Sequence, residues 1–341
     1  MNKERLEKIL RAPGAPGHEK RVRDVLFGLL EKEADECRVD RMGNLIFHRK
    51  GGGPRVMYTA HMDEIALIVT RVDKNGFIRF STLGSFDPET LVSQQVVVHG
   101  KEDIPGVIGK KPIHIQSNEE KQKKTKFSNL FIDTGLKEEQ VKELVSEGTV
   151  ITRAKQLIEL GNTISGTSMD NRISCYILAE ALLSGMKSSS DIYAVFTVQE
   201  EVGIRGARVA AQAIQPDIGI NLDVTLANDL PGVNEQEYCT ELGKGTAVKV
   251  MDKSIVCTPS LVNFLAKMAE ENQIPCQREV LTAGGTDTSA MQYLMGIGSH
   301  VTSISTPTRY IHSTVETCAK NDIQAGIDLT ICSMELIESY R

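Results

Sequence analysis

Two adjacent carboxylates, Glu200 and Glu201, follow the apolar run Ile192–Val198 with only Gln199 between. The run is short, β-branched and aromatic, the pattern of a buried strand. The pair therefore stands where a strand runs out, the edge at which α/β sheets build their sites. An isolated Glu-Glu pair is ordinarily a solvated loop. Four further places carry donors of the same chemical kind: His61 and Asp63 in His-Met-Asp, Asp170 in Met-Asp-Asn-Arg, Asp223 in Leu-Asp-Val-Thr, and His312 in Tyr-Ile-His-Ser. Each has a plain reading of its own. His61-x-Asp63 can be a surface turn, Asp170 a helix cap, Asp223 a turn residue and His312 a satisfied histidine beside Tyr310. A single metal site accounts for all of them at once.

Such a site has a definite chemistry. A hydrolytic two-metal centre holds ions about 3.5–4 Å apart with one bridging carboxylate and one or two terminal ligands per ion. Imidazole and carboxylate suit zinc-like ions, and without a cysteine cluster a structural thiolate site is disfavoured. His61 and His312 supply nitrogen, Asp170 the bridge, and Glu201 and Asp223 the remaining positions. Asp63, two residues from His61, can accept the second ring N–H and fix the ring. Glu200, beside a ligand but not needed as one, can take a proton from water.

The elements that must position these residues read as alternating strands and helices. Helical spacing of Val22, Val25, Leu26, Leu29 and Leu30 predicts a helix within 17–34, after the breaker-rich segment 12–17. An extended pair follows at 37–40 and 44–49, then a strand at 55–60 that ends on His61. From about Ile65 the texture becomes β-rich, with a hairpin signal at Asp73-Lys-Asn-Gly76 and short pieces at 95–99, 105–109 and 130–133. The charged stretch 118–126 reads as a flexible loop. Alternation resumes with helices at 173–183, 206–214, 259–271 and from 322, and strands at 218–222 and 300–305. The expected fold is α/β, a mixed open sheet flanked by helices, formed by residues 1–64 plus 161–341. A small β-rich domain, 65–160, is inserted into it.

Composition narrows the class. A chain of 341 residues holds one large α/β domain and a smaller one. A net charge of −6 with interspersed signs argues against nucleic acid or an anionic membrane as partner. No apolar run approaches the roughly 18 residues that a bilayer requires, and the charged N-terminus has no signal-peptide core. Seven cysteines without a Cys-x-x-Cys pair, mostly in apolar segments, read as reduced thiols of a cytoplasmic protein.

At these residues the chain resembles the TET-type dinuclear-metal aminopeptidases, metallopeptidase family 42, some of whose members have been labelled endoglucanases. The resemblance runs from Pro16-Gly-His-Glu19 to the last helix. It rests on the segments Thr59-Ala-His-Met-Asp-Glu-Ile65, Met169-Asp-Asn-Arg172, Gln199-Glu-Glu-Val-Gly-Ile-Arg-Gly-Ala207, Leu222-Asp-Val-Thr225, Gly284-Gly-Thr-Asp287 and Tyr310-Ile-His-Ser313. It implies a zinc-exopeptidase-like sheet with His61 and Asp223 as terminal ligands of one ion, Glu201 and His312 of the other, and Asp170 bridging. It further implies Glu200 as general base, Asp63 as partner of His61, and two divalent ions per subunit (zinc or cobalt, with manganese accepted). Peptides with a free N-terminus would be the substrates, and dimers built through the inserted domain would assemble into a tetrahedral dodecamer. Ser168-Met169 and Thr288-Ser289 depart from the family's common residues, which leaves specificity open. A related dinuclear deacylase or carboxypeptidase, and an inactive scaffold, are the alternatives. A glycosidase fits poorly, because such enzymes work with a carboxylate pair and aromatic subsites, and the chain has no Trp.

Overall fold

In the computed structural model, which describes residues 1–294 and 297–340, twelve strands form one mixed sheet. Its central strands are Asp191–Thr197, Arg55–His61, Ile218–Leu226 and His300–Arg309, in that spatial order and mutually parallel. They are buried along almost their whole length, the mark of strands covered on both faces. Antiparallel strands flank this core: Leu45–Arg49 and Glu36–Val39 on one side, Glu316–Ala319, Thr163–Gly166 and Leu157–Leu160 on the other. Thr246–Asp252 also pairs with His300–Arg309 and carries Cys276–Val280 beside it.

Helices Met169–Leu183 and Lys320–Leu336 pack on the central strands and on each other, and Arg205–Ile214 and Thr288–Gln292 pack against the same strands. Met169–Leu183 is buried along nearly its whole length, as expected of a helix apolar on every side. The core joins Ile173, Ile177 and Leu178 of this helix to Val56, Tyr58, Ile220 and Leu222 of the sheet.

A closed six-stranded barrel is formed by Ala66–Val72, Ile78–Leu83, Phe131–Asp133, Asp103–Gly109, Gln95–His99 and Val150–Arg153. It has its own core around Val69, Ile78, Val98, Ile132 and Ile151. The hairpin read at Asp73–Gly76 is present: Asp73 Oδ1 accepts the N–H of Asn75 and Phe77, and Gly76 has φ +86°. The charged stretch 118–126, read as a loop, contains one helical turn, Asn118–Lys121. The reason is local: Ser117 and Glu120 form a capping box, which a reading by charge alone overlooks. The strand expected to end at Ser305 continues to Arg309.

Candidate metal centre

Strand register brings the first ligands together. Thr59 pairs with Asn221 across adjacent parallel strands, so His61 and Asp223, each two residues further on, stand level at the same sheet edge. Thr197 is level with His61, and the chain then turns through Gln199, at φ +56°, into Glu200 and Glu201. Asp170 enters from the start of helix Met169–Leu183, where Asp170 and Asn171 lie off helical φ/ψ and the peptide bond between them is cis. The carboxylate oxygens of Asp170 face His61 and His312 rather than the N–H groups of the helix's first turn. His312 follows the long strand His300–Arg309, in a loop where Tyr310 and His312 both have positive φ.

The five ligand candidates form two sets of donors that share Asp170: His61, Asp170 and Asp223 in one, Asp170, Glu201 and His312 in the other. Asp170 offers one oxygen to each. Its Oδ1 is 3.3 Å from His61 Nε2, and its Oδ2 is 3.4 Å from His312 Nε2. His61 Nε2 is 3.8 Å from Asp223 Oδ1, and His312 Nε2 is 3.4 Å from Glu201 Oε2. These separations exceed a normal N–H···O hydrogen bond. Two donors bound to one tetrahedral ion at about 2.1 Å stand roughly 3.4 Å apart, which matches. Glu201 Oε1 is buried without a hydrogen-bond partner, as a carboxylate meant for a cation would be. The donor set fits a pair of divalent ions.

Electrostatics agree. Burial lowers the affinity of His61 and His312 for a proton, but the carboxylates facing them more than reverse this, lifting His312 to about 11 and His61 well above its ordinary value. Asp170 is also penalised by burial, yet the two imidazoles hold it below the usual carboxylate range. Burial pushes Asp223 up to about 7, with His61 opposing and Asp170 adding to the rise. Glu200 is raised well above an ordinary carboxyl, first by burial, then by the charges of Asp287, Glu201 and Asp223 working against His61. The upward shifts of Glu200, Glu201 and Asp223 show buried carboxylates crowded against one another, a crowding that bound cations would relieve.

The side chain of Asp63 faces His61 and also has a contact that the sequence does not reveal. The nearest contact of His61 Nδ1 there is the main-chain carbonyl of Asp63, at 3.2 Å, while the carboxylate lies 3.5 Å away. That carboxylate also accepts the N–H groups of Glu200 and Glu201, each at 3.0 Å. These two bonds fix the loop that carries both glutamates. Arg309, the last residue of the strand His300–Arg309, is paired with Asp229, Nη2 to Oδ2 at 2.6 Å.

Other residues at the centre were not singled out from sequence. Asn221 Nδ2 donates to Asp223 Oδ2 at 3.0 Å, while Asn221 Oδ1 accepts from Thr59 Oγ1, which orients Asp223 toward His61. Asn171 Nδ2 donates to the Leu222 carbonyl. Glu316 accepts the N–H groups of Asp170 and His312. The signal available for Asn221 was its place two residues before Asp223 on a strand, facing the same side. Glu316 had none beyond its nearness to His312.

The family model described as M42 glutamyl aminopeptidase matches residues 43–329. A putative aminopeptidase of Acetivibrio thermocellus is 36% identical over 327 residues, 96% of each chain. The lysyl aminopeptidase of Pyrococcus furiosus is 36% identical over 340 residues, covering 97% of this chain and 96% of that one. Among solved structures, the TET1 peptidase of Pyrococcus horikoshii, which can assemble into a tetrahedron or a large octahedral shell, superposes with a TM-score of 0.87 at 31% identity, over 97% of this chain and 98% of that one. The chain belongs to the M42 aminopeptidase family.

Proposed function

We propose that the chain is a metal-dependent aminopeptidase that removes the N-terminal residue of peptides at a centre of two divalent ions, zinc or cobalt, with manganese also accepted. The observation that carries this reading is Asp170, whose two oxygens each face a different histidine at 3.3 and 3.4 Å. His61 and Asp223 would hold one ion, Glu201 and His312 the other, with Asp170 between. Bound there, the ions would supply Lewis acidity for a scissile carbonyl and acidify water.

Glu200 belongs to neither donor set and is only partly buried. Its carboxylate takes the proton from the attacking water and passes it to the nitrogen of the leaving amine. Asp63 keeps Glu200 and Glu201 in fixed relation through their main-chain N–H groups. Tight packing behind the site, from Met62 and Val198, keeps the ligand-bearing strand ends rigid.

The similarity to peptidases that form a tetrahedron and a dodecamer supports assembly of this chain into a tetrahedral dodecamer built from dimers, with residues 65–160 as the contact unit and 1–64 plus 161–341 as the catalytic unit. Seven unpaired cysteines favour a cytoplasmic setting. Relatives named for lysyl and for glutamyl substrates leave the preferred residue to experiment.

Metal-stripped protein assayed with acidic, basic and aliphatic aminoacyl-p-nitroanilides tests the reading. Turnover should return with zinc, cobalt or manganese and vanish when the amino terminus is blocked. Full metal loading with no hydrolysis of any unblocked substrate would remove it in favour of a deacylase.

A further inference from the structure

Glu316 is fully buried and lies at the start of the strand Glu316–Ala319. Its two oxygens are used separately. Oε2 accepts the N–H of Asp170 at 3.0 Å, and Oε1 accepts the N–H of His312 at 2.9 Å. These two residues are 142 positions apart in sequence and belong to different elements, yet one carboxylate ties their main chains together. His312 needs such a tie. Its φ is +63°, a region that residues with side chains seldom occupy unless neighbouring structure holds them there.

The arrangement repeats on the other side of the centre. Asp63 accepts the N–H groups of Glu200 and Glu201 with its two oxygens, just as Glu316 does for Asp170 and His312. Each buried carboxylate thus fixes one pair of site residues through the backbone, leaving their side chains free to face the ions. Asp223, by contrast, is oriented by the side chain of Asn221 and by its neighbour's N–H. Neither contact involves Glu316.

We infer that Glu316 is a positioning residue for the ion held by Asp170, Glu201 and His312, and that it governs the affinity of that ion more strongly than that of the ion at His61 and Asp223, which shares Asp170 but not His312. The inference rests on the two-ion reading above. Glutamine at this position keeps one acceptor and turns an N–H₂ group toward a main-chain N–H, so one of the two bonds is lost and repulsion replaces it. Aspartate keeps the charge but is one methylene shorter, so it cannot span both N–H groups at once.

The test is calorimetric titration of metal-stripped protein with cobalt, alongside metal content by mass spectrometry. Wild type should take up two ions per chain. Glu316→Gln should retain one tight ion, with the second about 10–100-fold weaker, and Glu316→Asp should fall between. Hydrolysis by Glu316→Gln should recover as free cobalt is raised, with kcat restored and KM for the peptide unchanged. If Glu316→Gln does not fold, Glu316→Asp carries the same comparison. Equal weakening of both ions, wild-type affinity in either variant, or activity that cobalt does not restore would each overturn the inference. A wild-type chain that binds fewer than two ions would overturn the two-ion reading itself, which separates the two failures.

Discussion

At the level of single residues, the centre divides the adjacent glutamates by geometry. Glu201 Oε2 lies 3.4 Å from His312 Nε2, within a donor set, whereas Glu200 belongs to none. Replacing Glu200 with glutamine should leave metal uptake intact and lower kcat about 10²–10⁴-fold, the usual contribution of a general base. Metal analysis of the purified variant beside its kcat checks this, and loss of an ion with the activity would contradict the assignment. Asn221→Ala should act differently, because the freed Asp223 oxygen loses its partner. The ion at His61 and Asp223 should bind about 10–100-fold more weakly, readable in the same titration. The two classes of residue were unequally legible in sequence. Ligand candidates announce themselves by type at strand ends, so His61, Asp170, Glu201, Asp223 and His312 could be read directly. Asn221 and Glu316 are ordinary residue types, and only register and a returning strand show what they touch.

At the level of elements, the Glu200–Glu201 loop is fixed by a close backbone approach. Gly206, at the start of helix Arg205–Ile214, sits where a Cβ would run into Asn44 Oδ1 and the Val198 carbonyl. Asn44 in turn donates to the Gly206 carbonyl and accepts the Val198 N–H. Gly206→Ala should cost about 1–3 kcal/mol by overpacking and reduce turnover by shifting the loop, seen as a lower thermal midpoint together with a lower kcat. A glycine turn was legible here, but its partner Asn44, some 160 residues away, was not. The elements themselves were largely legible because their periodicity is local: Pro259–Glu271 appears as read. Missed strands such as Thr246–Asp252 and Cys276–Val280 carry charged residues on buried positions, Lys249 and Glu279, which mutual pairing makes tolerable. Glu64 presents a similar case with a pH signature. It lies fully buried between Lys155, Arg172, Ser168 and the Gly14 N–H. Burial alone would raise its pKa, but Lys155 and Arg172 outweigh it and hold the group at about 2. A lowered carboxyl pKa stabilises the fold above the unfolded value and loses that stabilisation as pH falls through the folded one. Glu64→Gln should therefore cost about 3 kcal/mol near neutrality. The gap to wild type should narrow as pH drops from 4.5 toward about 2, followed by denaturant midpoints across that range.

At the level of the whole molecule, two of the contacts between the barrel and the catalytic layer differ in kind. One is an exposed contact, Arg21 to Asp103 at 2.6 Å, also shared by His99. The other is buried: Arg153, the last residue of the barrel strand Val150–Arg153, donates through Nη1 to the carbonyl of Ser313, next to His312. Its guanidinium also lies over the Phe86 ring and favours the ionised form of Glu316, against the burial that pushes that carboxyl up to about 8. Exposed ion pairs are worth about 0–1 kcal/mol because solvent screens them and side-chain entropy is lost. Removing one partner of a buried charged arrangement costs several times more, since the other charge is left uncompensated. Arg21→Ala should thus leave metal binding and turnover at wild-type levels. Arg153→Met keeps most of the apolar stem while removing the charge and the bond to Ser313. It should weaken the ion at Glu201 and His312 even though Arg153 belongs to the barrel and to neither donor set. Cobalt titration of the two variants in parallel decides this. Equal behaviour would mean that the barrel is only attached to the site, whereas selective loss in Arg153→Met would mean that any strain placed on the barrel by subunit contact reaches the ligands through one side chain.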